Sequence, residues 1–398
     1  MRLLMFFIFP GLKVIWYAKG KEYYNKHVLI EGKMKGLIDI SEVERLKIFK
    51  AIRVGCKDDD EFQYYLSLLC EPGKVDEYTR RVQGYFNEDE FVIICHLLNC
   101  CKRITPLGQT PLPNMEKGTP DYLATFKTNY GDLSCFIEVK STANHETSSF
   151  SHNAIDRIYR YAESYGLPIF FASRITIGDC GVWVLQTREE FVENKRKTSI
   201  NMLPNVIGNI LMKDSFVMVT SDFEMEMTFE DTCNNNDSSV FYENYGYLKG
   251  INITANNDTY SFDNVLILDI LLSSFAQEVH SIKTSNGYKV FKKASFGTSL
   301  PMSCLLLHLN TVISDNQKIK PYSNPSRLLA QVEVNNGLLF YIDKLKEMIL
   351  AINGTFPPSA KIFNFSYLGN KTQTIKSKEK ILNEIKRQKT LLKNRKGT

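Results

Sequence analysis

No two of the nine cysteines in this 398-residue chain stand at CxxC spacing, and no Cys and His group has the spacing of a zinc ligand set, so no zinc module is expected. The odd count, with Cys95 and Cys135 inside apolar runs, reads as reduced, packed thiols in a cytoplasmic, reducing compartment. No nucleotide-binding glycine loop and no internal repeat is evident, which excludes an ATP-driven motor of the chain's own. The apolar start, MRLLMFFIFPGLKVIWYAKG, is too short to cross a bilayer. Pro10, Lys13 and the lack of a small-residue cleavage site separate it from an export signal, so an N-terminal strand or partner-facing apolar arm is expected, with no membrane role. The sequons at Asn252, Asn257, Asn353 and Asn370 are what chance provides in an Asn-rich chain.

What is present is a folded composition: 43% hydrophobic and 12% aromatic residues, enough for two or three modules. The net charge of +5 conceals an asymmetry, because residues 371–398 hold ten Lys or Arg against two Glu, a local +8 that leaves −3 for the rest. Most of the surface is therefore not basic, and composition alone gives no global attraction to nucleic acid.

The stretch GTPDYLATFKTNYGDLSCFIEVKST carries the most information. Sixteen residues separate Asp121, in a Pro-Asp pair, from Glu138 in Glu-Val-Lys. Alternation along a strand sends Phe136, Glu138 and Lys140 to one face, and Ile137 and Val139 to the other. A carboxylate from the Pro-Asp strand brought beside that face supplies two oxygen ligands for a hard divalent cation, with an ammonium within reach of its water. Those are the parts of a metal-dependent phosphodiesterase site. NYGD offers the Asn and Gly that a hairpin connection requires.

Over residues 85 to 190 this pattern resembles the PD-(D/E)xK nuclease superfamily of restriction enzymes, junction resolvases and repair or defence nucleases. The resemblance implies a glutamate-bearing helix, a three-stranded meander with the motif on its second and third strands, another helix and a further strand. NEDEFVIICHLL, KRITPLGQ, PDYLATF, LSCFIEVKS, NAIDRIYRYAESYG, LPIFFASRI and GVWVLQ can be read in that order, with Asn153 as an N-cap and Gly166 as a stop. The implied fold is α/β, a mixed sheet flanked by helices. Asp121 and Glu138 would hold Mg²⁺ or Mn²⁺ together with the main-chain carbonyl of Val139, and Lys140 would orient or help deprotonate the attacking water. Glu90 is chosen as the first-helix glutamate because FVIICHLL follows it directly, with Glu88 as its rival. Arg157 and Arg160 share a helix face that meets phosphates or simply faces water. His145, His152 and Gln109 have no role that the chemistry needs. The iron-sulfur cysteines of some nucleases of this kind are missing, so no cluster is expected.

The remaining chain divides into an N-terminal arm and helical module at 1–84, the nuclease core at 85–195, a C-terminal α+β module at 196–370 for DNA recognition or oligomerisation, and a basic amphipathic helix at 371–398. FVMVTSDFEMEMTFED is expected as an edge hairpin, VLILDILLSSFAQEVHSI as a helix and GYKVFKKA as a basic strand. The expected activity is metal-dependent endonucleolytic cleavage of DNA in restriction, defence or repair, by a homodimer or an effector subunit. An RNA nuclease of the same fold, or a non-catalytic module that binds nucleic acid or a partner, is the alternative.

Overall fold

The structure is a computed structural model that describes residues 41–396 apart from residues 57, 72, 109–117, 142–146, 150–151, 178–179, 196, 200–201, 203–206, 233–240, 264–265, 315–327, 330–339, 358–360 and 367–370. The expected N-terminal arm, Gln109 and His145 lie outside the described residues, as does the side chain of His152.

Three helices open the described chain: α1 (Glu42–Gly55), α2 (Asp59–Leu69) and α3 (Val75–Leu97). Asp58 caps α2 by accepting the Glu61 N–H at 2.9 Å, which satisfies one of the orphan donors of the first turn. The EPGK break is realised with Gly73 at φ +83°, the left-handed region that glycine enters without steric cost. Helix α3 is longer than its sequence suggests. The first nuclease helix expected near residue 87 is its second half, so the boundary drawn between residues 84 and 85 falls inside one helix. The reason is continuous burial: Tyr78, Val82 and Phe86 pack with Leu46, Phe49, Phe62 and Leu66, while Phe91, Ile94 and Leu97 enter the main core. At about 1.5–3 kcal/mol for each such side chain, this burial outweighs the ~1 kcal/mol that mid-helical Gly84 costs.

A five-stranded mixed sheet follows, built from β1 (Cys101–Pro106), β2 (Tyr122–Thr128), β3 (Gly131–Ser141), β5 (Ile169–Ile177) and β6 (Cys180–Thr187), in the order β1-β2-β3-β5-β6. Strands β1, β2 and β3 form an antiparallel meander, β5 runs parallel to β3, and β6 returns antiparallel. A parallel pair needs a crossover, and α4 (His152–Ser164) supplies it, with Gly166 at φ +67° just beyond its end. The short β4 (Thr147–Ser149) lies in that crossover and pairs with β7 (Lys197–Ser199). Thr128 and Gly131 are partners, so the β2–β3 hairpin turns through Asn129 and Tyr130, and Gly131 takes φ +127°. The alternation expected for β3 holds: Leu133, Cys135, Ile137 and Val139 join the core that includes α3, while Phe136 packs with Ile155, Ile158 and Ala162 of α4.

The rest of the chain adds α5 (Arg188–Glu193), α6 (Ile207–Met212), β8 (Phe216–Val219), β9 (Phe223–Glu230), β10 (Phe241–Tyr242), β11 (Gly246–Ala255), β12 (Asp258–Asp263), α7 (Leu266–Ser273), β13 (Gln277–Thr284), β14 (Gly287–Ala294), β15 (Ser299–Pro301), α8 (Met302–Ser314), α9 (Ile342–Thr355), β16 (Phe363–Ser366) and α10 (Lys371–Lys396). Strands β9 to β14 form an antiparallel sheet in which β9 lies between β11 and β14. The expected edge hairpin is therefore two strands of different sheets: β8 pairs with β15 and β16, and β9 is central with Met225, Met227 and Phe229 buried. The helix expected over residues 265–282 ends after Ser273, and Gln277–Thr284 is an outer strand paired to β14. Basic β14 is a strand as expected, within a larger sheet rather than a lone hairpin among helices.

Helix α10 buries Ile381, Ile385 and Gln388. Gln388 takes the place of a neighbouring strand: its amide oxygen accepts the Ser134 N–H at 3.1 Å and its nitrogen donates to the Ser134 carbonyl at 2.7 Å. The main-chain groups of Ser134, on the edge of β3 that precedes its pairing with β5, are thereby satisfied. The buried stripe of the basic helix is covered by this chain's own sheet, while Lys376, Lys378, Lys380, Lys386, Arg387 and Lys389 are exposed.

Candidate active site

Asp121 stands immediately before β2, held where the meander begins because its carbonyl accepts the Leu107 N–H at 2.9 Å. Pairing of β2 with β3 starts at Tyr122 and Ile137, so β3 continues past it as Glu138, Val139 and Lys140. Asp121 Oδ2 accepts the Val139 N–H at 2.7 Å, which fixes the aspartate against the end of β3. The N–H and C=O of a strand residue point to the same side, so the Val139 carbonyl faces the side on which Asp121 stands. Glu138 and Lys140, two residues apart and on one face, approach to 3.5 Å. Asp121 and Glu138 are both 7% exposed, whereas the Lys140 side chain is 48% exposed. The expected trio is thus brought together, with its acids buried and its amine at the rim.

Glu88 joins it from α3. Burial first, and then the charge of Asp121, pushes the Glu88 carboxyl up to about 8, with Lys50 and Lys140 pulling the other way. Burial and the Asp121 charge likewise hold Glu138 well above the usual carboxylate range, against the pull of Lys140 and with a further push from Glu88. Lys50 of α1 pairs with Asp89 at 2.6 Å. Four carboxylates, those of Glu88, Asp89, Asp121 and Glu138, meet the two ammonium groups of Lys50 and Lys140, a formal surplus of −2. Such a surplus in a half-buried place calls for protons or a cation.

Glu90 is elsewhere. It is 1% exposed and receives the Arg174 guanidinium, whose Nε is 3.0 Å from both carboxylate oxygens, and the Trp183 indole N–H at 2.9 Å. Arg174 also donates to Thr176 Oγ1 at 2.9 Å. Gly181 leaves room beside them, because a Cβ there would lie 2.5 Å from Arg174 Nη2 and 2.6 Å from Glu90 Oε1 and would push the pair aside. The glutamate chosen from sequence is therefore held by Arg174 and Trp183, and the rival Glu88 is the one that faces the motif. Two positions along a helix turn a side chain by about 200°, so adjacency to FVIICHLL selected the inward-facing residue.

Arg157 lies near the same approach: a Cβ on Gly118, three residues before Asp121, would sit 2.8 Å from the Arg157 Cβ. Arg157 and Arg160 are both exposed on α4, and Arg160 Nε donates to the Asp156 carbonyl at 3.3 Å. Lys50 was not found by sequence reading, since it stands 71 residues before Asp121 and carries no spacing signal toward it.

The donor set fits a hard divalent ion. Asp121 and Glu138 supply carboxylates, the Val139 carbonyl faces the same side, and the −2 surplus matches a doubly charged cation. The carboxylates do not form a closed cage, because no three of them have oxygens mutually within 4.8 Å. Comparison of the chain with protein-family models, with curated proteins and with solved structures finds no match.

Proposed function

We propose that this protein is a divalent-metal-dependent nuclease that hydrolyses phosphodiester bonds, most simply in DNA. The observation that carries this reading is the convergence of Asp121, Glu138 and Lys140 at adjoining strand ends, with half-buried Glu88 adding a third carboxylate. The order of α3, the β1–β2–β3 meander, α4 and the parallel β5 supports a restriction-endonuclease-like core of the PD-(D/E)xK kind. Asp121 and Glu138, with the Val139 carbonyl, would hold Mg²⁺ or Mn²⁺, which when bound polarises a phosphoryl oxygen and lowers the pKa of water.

The chain's own groups do the rest. The Asp121–Val139 hydrogen bond fixes one carboxylate before substrate arrives, so little reorganisation remains for the reaction. Lys140, anchored by Glu138 yet exposed, orients the attacking water and offsets charge on the phosphorane. Water's oxygen bonds to phosphorus, the bond to the leaving oxygen breaks, and the water proton departs through a base at the site. Glu88, which lies beside Asp121 in the same cluster, is placed to take it. Arg157 contacts a neighbouring phosphate at the rim. The exposed amines of α10 add a phosphate-binding face.

Supercoiled, linear and single-stranded DNA and RNA, incubated side by side with purified protein in Mg²⁺ or EDTA, test the proposal. Cleavage of at least one substrate, lost in EDTA, is expected. Binding without cleavage in either Mg²⁺ or Mn²⁺ would favour a non-catalytic module instead.

A further inference from the structure

Helix α3 ends at Leu97, and the next strand begins at Cys101. Asn99, at φ +51°, turns the chain back sharply enough for the Cys100 N–H to donate to the Cys95 carbonyl at 3.2 Å. Cys95, Cys100 and Cys101 are thereby gathered with their sulfurs mutually within 4.8 Å, the one such group of three or more potential ligands among the described residues. Sequence spacing concealed it, because C-x₄-C-C becomes a cluster only through the left-handed turn.

We propose that these three thiols form a binding site for a thiophilic divalent cation, Zn²⁺, that clasps the end of α3 to the start of β1. The spacing is that of ligands: tetrahedral Zn–S bonds of ~2.3 Å place sulfurs ~3.8 Å apart, and Cys100 and Cys101 Sγ stand 3.9 Å apart. A disulfide would need ~2.05 Å. The place favours a cation, since the C-terminal carbonyls of a helix carry the negative end of its dipole. Charge selects the valence. Three thiolates with a monovalent ion leave −2 in a site where Cys95 and Cys100 are fully buried, whereas a divalent ion leaves −1. Half-buried Cys101 leaves an approach for the ion and for a water as fourth ligand, because His96 is engaged with the Tyr341 hydroxyl at 2.8 Å. Binding breaks three S–H bonds, forms three Zn–S bonds and releases three protons to solvent, with no change of oxidation state.

The site is separate from the carboxylates, and its test is independent of nuclease activity. Reduced full-length protein carrying Asp121→Asn, which removes a competing oxygen ligand, is titrated with Zn²⁺ against a chromophoric chelator, and with Co²⁺ to read thiolate-to-metal absorption. One tightly bound ion per chain and the charge-transfer band are expected. Adding Cys101→Ser, an isosteric change at the half-buried position, is expected to weaken binding by more than the roughly 10–100-fold typical of an outer-sphere partner and to remove the band. Cys304→Ser should change neither. Absence of Zn²⁺ uptake, uptake unaffected by Cys101→Ser, or an intact mass showing a native disulfide among these cysteines would overturn the proposal.

Discussion

Two acidic residues on one helix, Glu88 and Glu90, share a sequence neighbourhood and meet opposite fates. Glu90 is enclosed by the Arg174 guanidinium and the Trp183 indole, with Gly181 leaving room for the pair. Glu88 turns toward Asp121 and Glu138, where carboxylates outnumber ammonium groups and its own proton is held up to about 8. A buried acid with its partner in place costs a fold little and becomes expensive when the partner is removed; a surplus of acids is costly until something positive arrives. The difference gives one carboxylate a structural partner and leaves the other in the cluster proposed to carry the chemistry.

The comparison breaks most sharply in activity. Glu138→Gln keeps the size of the side chain but removes the charge of a proposed ligand, and the proposed nuclease activity should fall about a thousandfold or more, the equivalent of the several kcal/mol a metal contributes to the transition state. Steady-state plasmid cleavage, with the thermal midpoint held as a control, checks this. Lys140→Ala should cost about a hundredfold to a thousandfold in kcat, in line with loss of one preorganised electrostatic group, and leave Mn²⁺ affinity largely unchanged. Equal losses in kcat and metal affinity would instead make Lys140 part of the binding site.

The structural half of the comparison is sharpened by stability. Arg174→Ala leaves Glu90 buried without its main partner and should destabilise the protein by about 3–5 kcal/mol in urea unfolding. Glu88→Gln should be neutral or stabilising in the metal-free protein, because it removes repulsion. A similar cost for both substitutions would erase the distinction drawn between them.

The smallest expected effect is in pH. Glu88 and Glu138 bind protons more tightly folded than unfolded, so the folded chain holds more protons between the ordinary carboxylate range and the raised values. Stability from Glu88 is complete below pH ~4.5 and is lost as pH rises toward about 8, and Glu138 acts in the same direction. The thermal midpoint of metal-free protein should decline over that interval, and Glu88→Gln or added Mg²⁺ should flatten the decline.

Much of this was legible in the sequence where the signal is local. The alternation of FIEVKS, the strand of PDYLATF, which begins at Tyr122 just after the Pro-Asp pair, and the hairpin of Asn129, Tyr130 and Gly131 all depend on near neighbours, and each appears in the structure. What could not be read depends on packing at a distance. The unbroken α3 is held by two separate hydrophobic clusters, β9 is central because β11 and β14 flank it, and Gln388 completes β3 from across 254 positions. The choice between Glu88 and Glu90 turns on Arg174 and Trp183, which lie on strands whose position no helix pattern reveals. Cys95, Cys100 and Cys101 escaped notice for a backbone reason, the positive φ of Asn99.

The most direct test of the surplus at Glu88, Asp121 and Glu138 is calorimetric titration of the purified protein with Mn²⁺, in parallel with Asp121→Asn. Saturable binding by the wild type, weakened by about tenfold or more in the variant, is predicted for an ion held between Asp121 and Glu138. Identical binding by both proteins, or none by the wild type, would contradict the assignment of these carboxylates as a metal site.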